Sequence, residues 1–524
     1  MTNTTTLQRL RVVGAFVLLC ATPRCFGGDN TWTNSTETSA WNFTDANWTA
    51  PTKWSDVNVD GAVFDAGGVG PLTLQESVIA RSLAFEVDGY SLVAPYNKGI
   101  RLSDGGVGAR DPGEIHVAAG TATIDATLVG VVPVKKTGTG RLVLSRNVAN
   151  SGGILIEEGT LQITGQTFSP PSISGPIVNN ATLEFTHPAG LVNAGNVAGT
   201  GDLVINGGTD SVLSADDSTY TGDTYIQSGT LEVRTLATPR VYNDAVLSLS
   251  TAGQISEKAY SGVISGSGEV RVTGFGTYLL TGNNTYTGVT SVQNAKLIIG
   301  DGATSGSVGG SIGMYGDGCA VEFRRADDVV FNGSIGGSGQ FIKYGSGKLT
   351  VLGNLIVTGA GAIVDEGTLI VTDGWSPHPL VGGTFAANAG AVLRFERTID
   401  SEGYGYFITG TGQFEKAGPA TMSLLEPWSF AGQTVVEAGT LRFANKSQFY
   451  LHGDIVNDGN VVFAGASQYD GVMSGSGNVT IERFESITFR GSNSYTGVTT
   501  IPARTTLSLE GPNGAIVGDV AVDG

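Results

Sequence analysis

The chain has 524 residues, of which 79 are glycine, 15% are charged and 40% are hydrophobic. Glycine is about twice its usual share and charge is scarce, yet the apolar content suffices for a packed core, which excludes global disorder. A formal net charge of −18 leaves nothing to neutralise phosphates and excludes nucleic acid as a partner.

The lack of a long 3.6-residue apolar period, with abundant glycine and threonine, points to β structure throughout. Residues 1–28 read as an export signal. Arg9 and Arg11 precede the apolar run from Val12 to Ala21, and small residues follow at Gly27 and Gly28. That is a charged start, a short apolar core and a cleavage point, too short for a spanning helix. Cleavage is expected between residues 21 and 29. Lipid attachment at Cys20 or Cys25 fits less well, because Leu19 and Arg24 are poor neighbours for it. Only Cys319 then remains for certain, so the mature chain must hold together by packing rather than by an internal disulfide.

Residues 29–125 carry four of the six tryptophans, Trp32, Trp41, Trp48 and Trp54, and short strands near 62–64 and 82–85. The tryptophans suit either a carbohydrate platform or a hydrophobic plug over the first open edge of a stacked array. The plug is favoured, because such arrays need capped ends. This region is therefore expected to be a β-rich N-terminal cap.

Residues 126–524 keep a fixed register. Opening glycines fall at Gly130, Gly199, Gly266, Gly337, Gly410 and Gly475, separated by 65 to 73 residues. A marker follows 20 or 21 residues after each: Asn150, Tyr220, Tyr286, Val357, Phe430 and Tyr495. Eleven or twelve residues later comes a leucine: Leu161, Leu231, Leu297, Leu369, Leu441 and Leu507. The leucine strands alternate, so that Leu161/Ile163, Leu231/Val233, Leu297/Ile299, Leu369/Val371, Leu441/Phe443 and Leu507/Leu509 share an inward face. Equivalent leucines such as Leu369 and Leu393 are 24 apart, which is one coil of a β-solenoid. Each of the six degenerate units is expected to make about three coils, giving roughly 17 coils over residues 130–511 and a rod of about 80 Å. The markers would then form one row along the rod. A row that accepts Val and Phe suits half-buried corner packing better than glycan binding.

The sequences Gly266-Ser-Gly, Lys136-Thr-Gly-Thr-Gly-Arg-Leu-Val-Leu and Lys343-Tyr-Gly-Ser-Gly-Lys-Leu-Thr-Val carry a resemblance, with Asn284-Thr-Tyr-Thr-Gly, Asn493-Ser-Tyr-Thr-Gly and Glu-Gly-Thr-Leu at 158–161 and 366–369. Together they resemble the autotransporter-associated β-strand repeat, also called the passenger-associated transport repeat, over about residues 130–511. The tryptophan-containing start is similar to the leader of exported bacterial proteins with this repeat. The resemblance implies an all-β, right-handed parallel β-helix exported by the type V route to the outer membrane or cell exterior, as a structural or adhesive surface protein. Partners would be extracellular glycans or host or neighbouring-cell surfaces. It also implies a membrane β-barrel of alternating ten-residue segments. The sequence reaches Gly524 partway through a unit without that pattern. A fragment of a longer gene is therefore expected, the other reading being secretion without its own translocator.

No chemical motif stands out. His116, His187, His378 and His452 are scattered, with no HExxH pairing, and read as turn or surface residues. Adjacent acids occur at Glu157-Glu158, Asp216-Asp217, Asp327-Asp328 and Asp365-Glu366. Neighbours in a strand point to opposite faces, so such pairs do not make the facing carboxylates of a polysaccharide hydrolase. Asp327 and Asp328, beside Arg324 and Arg325, suit a solvated charge pair better than a calcium site. Neither the nonapeptide of calcium-loaded β-rolls nor a P-loop or GxSxG is present, and Cys319 reads as a small buried residue. No catalytic, cofactor-binding or metal-binding residue is assigned and no cofactor is expected. A carbohydrate-active β-helix enzyme with acids converging only in three dimensions, or a passive scaffold of a longer protein, are the competing readings.

Overall fold

Strands that bury alternate residues and turn tightly between faces can wind into a coil whose interior holds only side chains. The computed structural model describes residues 29–523 apart from 50–52, 55–59, 104–110, 166–170, 216–217, 252–256, 317, 374–382, 405, 426–428, 445–449, 466–467 and 483–484. The expected export signal lies outside the described residues. Among the described residues sixty strands and no helix build a parallel β-solenoid of about 21 turns, about 100 Å long at the usual strand spacing. The excess over the roughly 17 coils expected for 130–511 comes from residues before 126. Gly61–Phe64 and Ser82–Phe85 lie in one parallel sheet with Val134–Thr137. Stacking thus runs without a break past residue 125.

The solenoid has three faces. The first starts as an eight-stranded sheet from Asp29–Thr31 to Val197–Ala198, and the second as an eleven-stranded sheet from Ala40–Trp41 to Val263–Ser265. The third starts as four strands from Val78–Ala80 to Val148–Asn150 and resumes as nine from Ala189–Asn193 to Leu355–Val357. Each face later continues in a further sheet. The first does so at Lys258–Tyr260, the second at Val329–Phe331 and the third at Ser401–Tyr404.

The units do not stack directly on one another. From Leu161 the second face is revisited at Leu183, Leu203 and Thr224, and Leu231 then lies on the third face. Leu297 follows on the first face, Leu369 on the second, Leu441 on the third and Leu507 on the first. A unit is therefore about three coils and a third rather than three, at roughly 21 residues per coil. Every unit turns the pattern onto the next face.

Close backbone approach at the corners explains the glycine. All six opening glycines have positive φ, from +100° at Gly266 to +154° at Gly130. Beyond conformation, there is no room. A Cβ added at Gly459 would lie 2.7 Å from the Gly439 carbonyl oxygen of the coil below, and those added at Gly432, Gly453, Gly471 and Gly491 would meet the oxygens of Gly412, Gly432, Gly453 and Gly471 closer still.

Inward pairs fill the interior. Leu161, Ile163, Leu231, Val233, Leu297, Ile299, Leu369, Val371, Leu441 and Phe443 are all buried. The pair expected at Leu507/Leu509 departs from this: Leu507 is half-buried and Leu509 is 46% exposed, because no described strand stacks on Thr506–Leu509. At the other end Trp32, Trp41, Trp48 and Trp54 are at most 2% exposed and pack on one another and on Phe64 at ring separations of 4.9 to 5.9 Å. Their buried faces suit a plug and offer no carbohydrate platform.

Replacing Gly432 by Ala forces a methyl against a backbone oxygen, whereas Gly390→Ala meets open space at φ +83°. The first is expected to cost about 2–3 kcal/mol and to erase amide exchange protection in neighbouring coils; the second costs about 1 kcal/mol. Equal exchange profiles for the two variants would contradict the close-approach account.

Candidate functional site

The most repetitive chemistry of the chain lies inside it. Tyr220 lies at an interruption of the first face, and Tyr286 and Tyr495 at interruptions of the second, where loops replace strands. Their backbones still follow the coil below: Thr285 N donates to Ile264 O, Thr287 N to Gly266 O, Ser494 N to Met473 O and Thr496 N to Gly475 O, all at 2.8–2.9 Å. Each ring is fully buried, and its hydroxyl pairs with a threonine four residues on, Thr224, Thr290 or Thr499, at 2.6–2.7 Å. Asn284 and Asn493 precede two of these rings. Asn284 Oδ1 accepts Ile264 N and its Nδ2 donates to Ser307 O; Asn493 Oδ1 accepts Met473 N and its Nδ2 donates to Ala515 O, so each side chain bridges three coils.

Three lysines do the same work with a charge. Lys136, Lys343 and Lys416 stand six residues after their opening glycines and are at most 1% exposed. Lys136 Nζ donates to the carbonyls of Thr137, Gly138 and Glu158 at 2.8, 2.7 and 3.1 Å. Lys343 does so to Tyr344, Gly345 and Glu366, and Lys416 to Ala417, Gly418 and Ala438. The same offset holds Ile205, Val272 and Ile481 in the other units, equally buried. Burial pushes each ammonium from 10.5 down to about 8. Two of these lysines open repeat motifs, yet sequence reasoning missed their role. The usable signal was a lysine alternating with aliphatic residues at one fixed offset.

The marker residues are 0–2% exposed, more buried than the half-buried expectation. They form no single row, because the units rotate from face to face. Same-face markers therefore recur about ten coils, or roughly 48 Å, apart.

The chemical candidates are dispersed and engaged. His116 Nδ1 contacts Thr137 Oγ1 at 2.9 Å, and the exposed His452 pairs with Asp470 at 3.3 Å. His187, expected at a turn or the surface, is instead fully buried, with Nε2 3.1 Å from Gly190 O and its pKa lowered by burial. His378, Asp216 and Asp217 lie outside the described residues. Glu157 pairs with Lys135 at 2.8 Å, and Glu158 accepts Gly138 N at 3.2 Å. Asp327 takes both a 2.8 Å and a 2.7 Å bond from Arg325, which holds its carboxyl below the ordinary value. Asp328 accepts Lys348 N. Asp365 accepts Asn388 Nδ2, and Glu366 accepts Gly345 N. Cys319 is buried, with Sγ 2.9 Å from Tyr315 O. Among the described residues no three His, Cys, Asp or Glu side chains gather to hold a metal ion.

Carboxylates from adjacent coils do converge at Arg394. It binds Glu396, Glu415 and Glu437 at 2.9, 2.8 and 2.6 Å, and these bonds, that to Glu437 foremost, raise its pKa. All three acids share one guanidinium on an outer face. No pair faces another across an open gap, as glycoside hydrolysis requires.

Two comparisons bear on this architecture. The passenger-associated-transport-repeat family matches at residues 134–163, 212–233, 270–299, 414–443 and 486–503. The first four stretches end on the inward partner of the unit's leucine, at Ile163, Val233, Ile299 and Phe443. The chain is also 28% identical over 405 residues to the adhesin BmaC autotransporter of Brucella suis biovar 1 (strain 1330), covering 65% of this chain and 11% of that protein. The chain thus spans about a tenth of the length of that relative. No solved structure gives a significant match. The chain carries passenger-associated-transport repeats and is of the exported, cell-surface-associated kind.

The lysines make stability depend on pH. Between about 8 and 10.5 the unfolded chain binds more protons than the folded one, so stability rises with pH across that window and the gain is lost as pH falls through 8. Urea unfolding followed by circular dichroism is expected to shift to higher urea between pH 8 and 10. The shift should be smaller in Lys343→Ile, which places there the residue type that Ile205 supplies at the same offset. A flat wild-type profile would contradict this assignment.

The buried tyrosine hydroxyls give a second expectation. Tyr286→Phe leaves Thr290 Oγ1 without its 2.6 Å partner and is expected to cost about 1–2 kcal/mol, read as lost exchange protection in residues 264–312. Unchanged protection would show that the hydroxyl pair adds nothing.

Proposed function

We propose that this chain, which carries passenger-associated-transport repeats, is a non-enzymatic β-helical stem with an adhesive role, exported through a signal at residues 1–28 by the type V route. Residues 29–125 would cap the rod and residues 126–524 extend it. The rod would hold its faces away from the cell to meet extracellular glycans or the surfaces of host or neighbouring cells. The observation that carries this reading is the stacking of about 21 coils whose repeated polar groups bind the next coil rather than line a cleft. The likeness to an adhesin supports the adhesive part.

A carbohydrate-active enzyme is the competing reading. Its foothold is the carboxylate trio at Arg394, and the guanidinium engages all three acids.

Beads coated with purified residues 29–524 are expected to bind cultured cells or extracellular polymers saturably, without releasing reducing or unsaturated sugar ends. Absence of binding to every surface tried would overturn the adhesive role. Polysaccharide cleavage that disappears in Glu415→Gln would establish the enzyme reading instead.

A further inference from the structure

Of the six exposed phenylalanine and tyrosine rings among the described residues, Tyr96, Tyr242 and Tyr450 have a ring face occupied by a neighbouring side chain, and the apolar Phe275 and Phe407 carry no hydroxyl. Tyr225 and Tyr242 stack on each other at 4.9 Å and 7°, Tyr96 carries Arg146 at 4.8 Å, and Tyr450 stacks with His452. Tyr315 differs. It ends the strand Ile312–Tyr315, points outward and is 56% exposed. Its ring folds back across Gly313, where an added Cβ would lie 2.6 to 2.9 Å from Oη, Cε2 and Cζ.

This glycine is unlike those of the corners. Gly313 does not have positive φ, and the atoms that a Cβ would meet belong to the Tyr315 ring rather than to backbone. The ring alone excludes a side chain there. In register above Gly313 lies Gly336, also on the outer side of its strand, so the ring covers Gly313 and borders a side-chain-free position at Gly336. Gln293 stands in register below Tyr315. Ser338 stands above, with its N–H donated to Met314 O at 3.2 Å. Both are exposed. The outward positions of these strands, Ser291, Gln293, Gly313, Tyr315 and Gly336, carry no charge although the chain has a net charge of −18. The nearest charges in register below, Arg271 under Ser291 and its partner Glu269, pair with each other at 2.8 Å. An aromatic surface rimmed by neutral hydroxyl and amide groups matches a ligand with an apolar C–H face and many hydroxyls.

The geometry points to a saccharide platform on the third face: the outer face of the Tyr315 ring packs on the C–H face of an uncharged pyranose that reaches over Gly336, with Gln293 and Ser338 bonding its hydroxyls. This deepens the adhesive reading and rests on it. Among the described residues Tyr315 alone is an exposed tyrosine ring lying against a glycine, so one ligand per chain is expected.

The test uses purified residues 29–524 against an array of neutral hexose and N-acetylhexosamine oligosaccharides, followed by calorimetry on those that bind. Wild type is expected to bind at one site, Tyr315→Ala to lose at least tenfold in affinity, Gly336→Val to lose similarly by filling the side-chain-free position, and Tyr242→Ala to bind as wild type; unchanged circular dichroism confirms folding of each. Equal affinity of Tyr315→Ala and wild type, or binding confined to charged glycans, overturns the platform. Cell or polymer adhesion without neutral-glycan binding overturns the platform and leaves the adhesive role standing. Failure of wild type to adhere to anything overturns both.

Discussion

Backbone lying directly on backbone at the corners is the constraint on which this structure depends. Parallel coils spaced by one strand width leave no volume for a Cβ where Gly432 passes over Gly412 or Gly459 over Gly439. Glycine in those columns sets the corner positions, and the corners set the register of the strands between them. Inward residues such as Leu161, Leu183 and Leu203 then fall on top of one another and bury a continuous core without a disulfide. Buried polar groups secure what glycine permits. Lys136 ties its own turn to the Glu158 carbonyl of the next coil, and Asn284 and Asn493 span three coils each. A cation surrounded by carbonyls satisfies acceptors that would otherwise be stranded, at a desolvation cost visible in its depressed pKa.

Rotation of the units by one face has a functional consequence. In a solenoid whose units stacked directly, an outward residue would repeat along one side and build a multivalent stripe. Here equivalent positions pass to the next face with each unit, so a favourable surface group is diluted around the rod. Recognition on such a scaffold must be built locally from side chains of adjacent coils. Tyr315 with Gln293 and Ser338, or Arg394 with Glu396, Glu415 and Glu437, are assemblies of this kind. Neither belongs to the repeat pattern.

The fold was legible because its determinants are periodic. Two fixed spacings and the alternation in strands such as Thr368–Val371 are one-dimensional traces of coil length and inward face. Coil number was underestimated because residues 29–125 lack the opening glycines, although Gly61–Phe64 and Ser82–Phe85 stack like the rest. The third of a coil by which each unit overshoots was invisible, since counting residues does not tell which face a strand reaches. His187 defeated composition-based reasoning, as its burial depends on the corner that it occupies. The site was barely legible. The Tyr315 platform comes from cross-coil register and a glycine excluded by a side chain, neither of which has a local sequence signature.

The unit rotation can be measured as a distance. Thr200 and Ser267 are exposed and follow the opening glycines of neighbouring units at different corners of the solenoid. Nitroxides on Thr200→Cys and Ser267→Cys, in a Cys319→Ala background of residues 29–524, report their separation by pulsed electron resonance. A unit of three coils and a third predicts about 25 Å, combining the axial rise with the width of one face. A separation near 14 Å, the rise of three coils on a single face, would contradict the account.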